Sequence, residues 1–198
     1  MLILASTSAA RKALLAGAGL DFESCPAPID ERAEEAAVLG KGPTAVAQHL
    51  AEAKALAVSR LHPDRIVIGA DQVLSLDEEI FHKPTDLDAA RRQLSRLRGK
   101  AHRLTSGVAL ARDGAVLWSH TVPADLTMRR FSNAERDAIV AEEGEAALGS
   151  VGAYRLEGPS VRLFERIEGD YFTILGLPLL PLLAALRLHA PQAQKGFT

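Results

Sequence analysis

The sequence predicts an α/β fold in which helices flank a mixed sheet. Three observations carry that prediction. Apolar runs with strand character alternate with segments of helical periodicity along the whole chain. One run, "RIVIGADQVLSL", is too apolar to leave a face in water and belongs in the middle of a sheet. A third stretch, "AHRLTSGVALARDGAVLWSHTVPADLTMRRF", carries Asp113-Gly114 near its centre and reads as a long hairpin, which makes part of the sheet antiparallel.

The elements follow in order. "LILASTSAARKALLAGAGL" opens with a strand, Leu2 to Ala5, then a Ser/Thr turn and a helix from about Ala9 to Ala18. Thr7 or Ser8 is its N-cap, since a short hydroxyl can accept from the open N–H groups of a first turn; Gly17 and Gly19 offer a stop. "FESCPAPIDERAEE" reads as a strand running into an acidic loop opened by Asp30 and Glu31. "GPTAVAQHLAEAKALAVSRL" is a helix with Val46, Leu50, Ala53 and Ala57 at helical spacing. After the central strand, "DEE" turns the chain into a short strand ending at "HKP". Thr85 and Asp88 form a capping-box-like start to "DLDAARRQLSRL", and Gly99 is its stop. Beyond the hairpin, Ser132 and Glu135 begin "NAERDAIVAEE", ended by Gly144. "SVRLFERIEG" is a strand, "LPLLPLLAALRLH" a helix, and residues 191–198 a flexible tail.

Bulk properties narrow the function. The chain has 198 residues, enough for one domain or two small lobes around a cleft. A net charge of −2 argues against a protein that coats nucleic acid, though not against a local basic pocket. Cys25 is the single cysteine, so no internal disulfide is available and a reducing compartment fits. No apolar run reaches the roughly 18 residues that span a bilayer. The first residues carry neither a basic leader nor a long apolar stretch, so no secretory signal is expected.

Residues that break local rules point to chemistry. Arg11 and Lys12 are the only charges of the first helix and sit at its positive end, where each cation costs about 0.3–1 kcal/mol. Asp71 interrupts the central strand; it is either a structural carboxylate with a partner, or a general base or metal ligand. Lys83 precedes Pro84, which fixes the backbone where a strand gives way to a helix. Lys54 taken alone is a surface lysine beside an apolar stripe, and Glu157 in "YRLEGPS" taken alone is exposed. No phosphate-binding P-loop, H-E-x-x-H or zinc-spaced Cys/His set is present. A bound anion together with a divalent cation accounts for what remains. A helix N-terminus receives phosphate and offsets the cost at Arg11 and Lys12, while carboxylates suit Mg²⁺ or Mn²⁺.

The motifs "LILASTSAARKALL", "IDE", "AEAKA", "VIGADQV", "HKPTDLDAARRQLSRLRGKAH", "SGVAL", "GAYRLEG" and "IEGDYFTILGLPLLPLLAAL" resemble, in this order, those of the Maf (septum-formation inhibitor) nucleotide pyrophosphatases. The likeness spans about residues 2–188. It implies a single domain, residues 1–190, with an elongated mixed sheet and two lobes around a central cleft, as in Maf and inosine triphosphatase-like proteins. It implies hydrolysis of nucleoside triphosphates between the α and β phosphates, and a house-cleaning role linked to arrest of cell division. It also implies a divalent metal (Mg, Mn or Co) and a cytoplasmic, often dimeric protein that binds neither membrane nor nucleic acid stably.

Residue by residue, Ser8 and Arg11 resemble the family's S-x-x-R phosphate motif, with Lys12 beside it. Glu31 and Asp71 match the acidic, metal-holding positions, Asp71 being also the proton acceptor. Lys54 and Lys83 match the two catalytic lysines. Gln72 and Glu157 occupy base-recognition positions, and with "LFERIEG" they resemble the 7-methyl-GTP branch rather than the dTTP/UTP branch. That branch carries Trp and Arg where this chain has Ala10 and Lys12. Ala10 cannot stack on a base, and Lys12 lacks the bidentate fork of Arg. Two alternatives stand beside this expectation: a dTTP/UTP pyrophosphatase and, from another class, a nucleotide-sensing regulator of division without useful turnover.

Overall fold

The structure, a computed structural model, describes residues 1–193. Seven strands form one sheet: β1 (Leu2–Leu4), β2 (Phe22–Ser24), β3 (Val67–Leu76), β4 (Glu79–Phe81), β5 (Ala101–Arg112), β6 (Ala115–Met128) and β7 (Phe164–Glu168). Their order is β2-β1-β3-β5-β6-β7, with β4 paired to β3. β1 runs parallel to β2 and β3, whereas the β3–β4 and β6–β7 pairs are antiparallel, so the sheet is mixed. The helices are α1 (Ala9–Gly17), α2 (Glu31–Val38), α3 (Pro43–Leu61), α4 (Leu87–Leu97), α5 (Asn133–Glu143), α6 (Tyr171–Ile174) and α7 (Leu179–His189). The chain divides into two compact units. The first comprises residues 1–72, 106–122 and 171 onward; the second comprises 73–105 and 123–170. β3, β5 and β6 each contribute residues to both.

In the first unit, strand alternation sorts the core into two layers. Leu2 and Leu4 of β1, Ile66 to Ala70 taken every second residue, and Val108 and Leu110 of β5 pack with Leu15 of α1 and Leu182 and Leu186 of α7. The residues between them, Ile3, Ala5, Val67, Ala109 and Ala111, pack with Ala51, Ala55 and Val58 of α3. Burying a Leu or Val side chain contributes roughly 1.5–3 kcal/mol, and both strand faces are used, as the near-continuous apolar run predicts. The α3 layer is built from small residues. A Cβ on Gly69 would lie 2.1 Å from Ala51 O, and one on Gly107 would lie 2.3 Å from Ala47 O. The α3 backbone therefore rests directly on β3 and β5.

In the second unit, Ser132 and Glu135 form the predicted capping box of α5, which Gly144 ends. His102 and Tyr154 are both buried and share a 2.8 Å hydrogen bond, with Phe164 against the Tyr154 ring. Arg98 lies over the ring of Phe131, and Arg96 over Phe81.

Four local expectations change. The acidic segment is not a loop: Glu31–Val38 is helical, because the Asp30 carboxylate accepts from the N–H groups of Arg32 and Ala33 and the acidic first turn suits the helix dipole. Asp86, not Thr85, caps α4, accepting from Ala89 N at 2.6 Å. The strand read from Ser160 begins only at Phe164, after a 3₁₀ segment Pro159–Leu163. Pro191–Ala193 is a short 3₁₀ turn with Ala193 against the core; residues 194–198 of the expected tail lie outside the described residues.

Candidate active site

Ser8, the N-cap of α1, accepts from the backbone N–H of Arg11 through its side chain. Arg11 then turns inward. Its Nε donates to Gly176 O at 2.8 Å, and its Nη1 donates to Ala70 O at 2.9 Å and to Ser6 Oγ at 3.3 Å. All three acceptors are neutral, and none of these bonds uses Nη2. Burial pulls the Arg11 pKa down, against the opposing influence of Asp71 and Glu31. A guanidinium keeps its charge under such conditions, so a half-buried positive charge stands at a helix N-terminus with no carboxylate paired to it among the described residues. Lys12, half-buried, is the next residue of the same turn.

Beside it lies a charged cluster. Lys54 Nζ donates to Asp71 Oδ1 at 2.7 Å and sits 3.0 Å from Glu31 Oε1. Lys54 is 6% exposed, which corrects its reading as a surface lysine. The cause is the close approach at Gly69. Asp71 follows Gly69 by two residues and shares its strand face, and Lys54 lies between Ala51 and Ala55, the residues that meet Gly69. Removing the side chains at Gly69 and Gly107 thus presses a helix lysine onto a strand carboxylate. An isolated buried carboxylate would be costly; Lys54 offsets that cost.

Gln72 faces the other side of β3. Its Nε2 lies 3.0 Å from each of Ser106 Oγ, Thr173 O and Ile174 O, and Ser106 Oγ donates onward to Thr173 O at 2.8 Å. The amide nitrogen is committed to the α6 backbone, so only the carbonyl oxygen of Gln72 is available to a base. Ser6 and Ser106 were not singled out from sequence. Both stand inside quoted motifs, but a hydroxyl beside many others gives no signal of its own.

The first unit thus brings together Ser8, Arg11, Lys12, Glu31, Lys54, Asp71 and Gln72. Lys83 and Glu157 belong to the second unit, and both are exposed. Among the described residues, no group of three or more His, Cys, Asp or Glu is placed to hold a metal ion. Glu31 and Asp71 nonetheless converge on one ammonium, so two carboxylates could hold a hard divalent ion whose other ligands are phosphate oxygens and water, the pattern Mg²⁺ favours. No helix among the described residues is long and apolar enough to cross a membrane.

The profile of a family described as Maf-like protein matches residues 1–189. The chain belongs to the Maf family. Among Maf proteins it is 56% identical over 188 residues to one from Brucella abortus biovar 1 (strain 9-941) named 7-methyl-GTP pyrophosphatase, with 94% of each chain covered. It is 54% identical over 188 residues to one of the same name from Mesorhizobium japonicum, again with 94% of each covered. It is 50% identical over 190 residues to one from Granulibacter bethesdensis named nucleoside triphosphate pyrophosphatase, covering 95% of this chain and 96% of that one.

Proposed function

We propose that this Maf protein is a nucleoside triphosphate pyrophosphatase that cleaves between the α and β phosphates, with 7-methyl-GTP as substrate. The observation that carries the reading is Arg11, a positive charge held by neutral acceptors at a helix N-terminus and close to the Asp71 carboxylate. A triphosphate supplies the missing negative charge. The names of the relatives supply the methylated base.

In this reading the Asp71 carboxylate accepts the proton of the water that attacks the α-phosphorus. The bond to Lys54 uses Oδ1 and leaves Oδ2 to take the proton. Lys54 fixes the carboxylate and, with Arg11, Lys12 and the first-turn N–H groups of α1, offsets the charge that develops on the phosphoryl oxygens; the family resemblance gives Lys83 the same role. A divalent ion on Glu31 and Asp71 would supply charge neutralisation and alignment of the triphosphate. The family resemblance makes Gln72, through its carbonyl oxygen, and Glu157 base-recognition residues, and a carboxylate attracts the cationic methylated guanine. The family resemblance also brings a cytoplasmic, dimeric protein.

The test is incubation of the purified protein with 7-methyl-GTP, GTP, UTP and dTTP in turn, with Mg²⁺, Mn²⁺ or Co²⁺, and assay of both products. Pyrophosphate in equal amount with 7-methyl-GMP is expected. Orthophosphate with the diphosphate would place the cleavage elsewhere, and no release from any nucleotide would favour the sensing regulator.

A further inference from the structure

Glu143, the last residue of α5, has no assigned task, yet its side chain is 0% exposed. Its Oε1 accepts from the backbone N–H of Ser160 at 3.0 Å and from the Ser160 hydroxyl at 2.7 Å, and its Oε2 accepts from Arg155 Nε at 3.0 Å. Burial pushes its pKa up, but the Ser160 and Arg155 bonds outweigh that, and the net shift is downward. A buried carboxylate is costly unless its oxygens are all engaged, and here the partners, among the described residues, come from one short loop, Arg155 to Ser160.

That loop is wrapped tightly around the carboxylate. A Cβ on Gly158 would lie 2.4 Å from Glu143 Oε1, so a side chain there would push the carboxylate from its place. Gly158 N donates to Arg155 O at 3.2 Å, and Val161 N donates to Gly158 O at 3.2 Å, closing a turn on each side. Glu157 lies between the two anchor points and is exposed, with its neighbours fastened from below. Glu143, Arg155, Glu157 and Ser160 all belong to the second unit.

We propose that Glu143 is a positioning residue for Glu157: it holds the Arg155–Ser160 loop in one shape and so sets where the Glu157 carboxylate stands. The proposal rests on the reading of Glu157 as a base-facing residue. Glu143 acts through Glu157 on selection of the base, and it does not touch the phosphates or the attacked phosphorus.

A double-mutant cycle tests it, with KM and kcat measured for 7-methyl-GTP and for GTP. Glu143→Gln keeps the shape of the side chain but sets an amide where Arg155 or Ser160 needs an acceptor. Charge-assisted hydrogen bonds of this kind are strong enough for a roughly tenfold change. The expected result is a KM for 7-methyl-GTP raised about tenfold, kcat within about twofold, and a preference over GTP reduced to match. Ser160→Ala, which removes one bond and leaves the carboxylate, should shift the same quantities by less, and it serves if the Gln variant does not fold. Glu157→Gln should lower the same preference, and Glu143→Gln combined with it should add nothing further. An unchanged preference in both Glu143→Gln and Ser160→Ala, beside an altered one in Glu157→Gln, overturns the positioning role alone. Effects that add in full overturn it too, because they mark a structural loss unrelated to Glu157. An unchanged preference in Glu157→Gln overturns the base-facing reading itself, and the proposal falls with it.

Discussion

Arg11 and Glu143 are both drawn into the protein, and they are treated differently. Glu143 is matched by an arginine, a hydroxyl and a backbone N–H supplied by its own loop, so its charge is fully used inside the second unit. Arg11 is oriented by two carbonyls and a serine hydroxyl in the first unit, which fix its direction without cancelling its charge. The difference teaches how to separate scaffold from site. A buried charge answered by an opposite charge is finished chemistry; one held only by dipoles waits for a ligand. Lys54 stands between the two cases, since it is answered by Asp71 and Glu31, and those carboxylates are themselves placed to do other work.

Asp71 is the sharpest way to break that comparison. Asp71→Asn keeps an acceptor for Lys54 and removes the proton-accepting charge. Turnover of 7-methyl-GTP should fall by at least a hundredfold and by up to about ten-thousandfold, the range of a general base, while the circular dichroism stays that of the parent. A variant within a few-fold of the parent would leave Asp71 as a scaffold carboxylate like Glu143. Lys54→Met comes next. It strands Asp71, 9% exposed, beside an apolar helix, and removal of one partner of a buried pair costs about 3–5 kcal/mol. Chemical denaturation should register the loss; a loss below about 1 kcal/mol would show that water already solvates Asp71.

The second unit offers a scaffold charge that is kept neutral. Burial lowers the pKa of His102 from 6.5 to about 4, against smaller opposing effects from the Lys100 backbone and Asp125. Its Nε2 shares a hydrogen bond with Tyr154, whose own pKa burial raises. As pH falls below 6.5 the unfolded chain takes up this proton first. The contribution to stability is therefore complete above 6.5 and is lost as pH falls toward 4. The loss amounts to about 3 kcal/mol at roughly 1.4 kcal/mol per pH unit. Stabilities from urea melts of the parent and of His102→Gln, followed from pH 7.5 to 4.5, should draw apart below 6.5 at up to about 1.4 kcal/mol per pH unit, and parallel curves would mean that His102 is protonated in the folded state.

Much of this was legible from residues alone, and the gaps have physical causes. The N-cap at Ser8 and the misplaced cations at Arg11 and Lys12 are local features, readable because capping and dipole effects act within a turn. The central position of β3 followed from apolar content on both faces. The burial of Lys54 was not legible, because it depends on glycines in two strands remote from it in sequence; helical spacing reports which face is apolar and not how near a strand comes. The helix α2 was hidden because none of its residues is buried, so its sequence has no apolar stripe to show. Glu143 gave no signal either. In "VAEEGEAA" it is one carboxylate among several, and only the loop folded over it distinguishes it from Glu142.

The smallest effect expected is also the most direct probe of Arg11. In Arg11→Lys the positive charge persists and the fork does not. One ammonium cannot reach Gly176 O and Ala70 O on one side while presenting donors to a phosphate on the other, whereas the planar guanidinium spends Nε and Nη1 on the protein and leaves Nη2 to the ligand. The KM for 7-methyl-GTP should rise roughly tenfold, about the energy of one charged hydrogen bond, with kcat reduced less than in Asp71→Asn. Stability should change by under about 1 kcal/mol, because the partners given up are carbonyls rather than a buried counter-charge. If Arg11 is only a strut tying α1 to Ala70 and Gly176, the pattern reverses: the melting temperature drops and KM stays where it was.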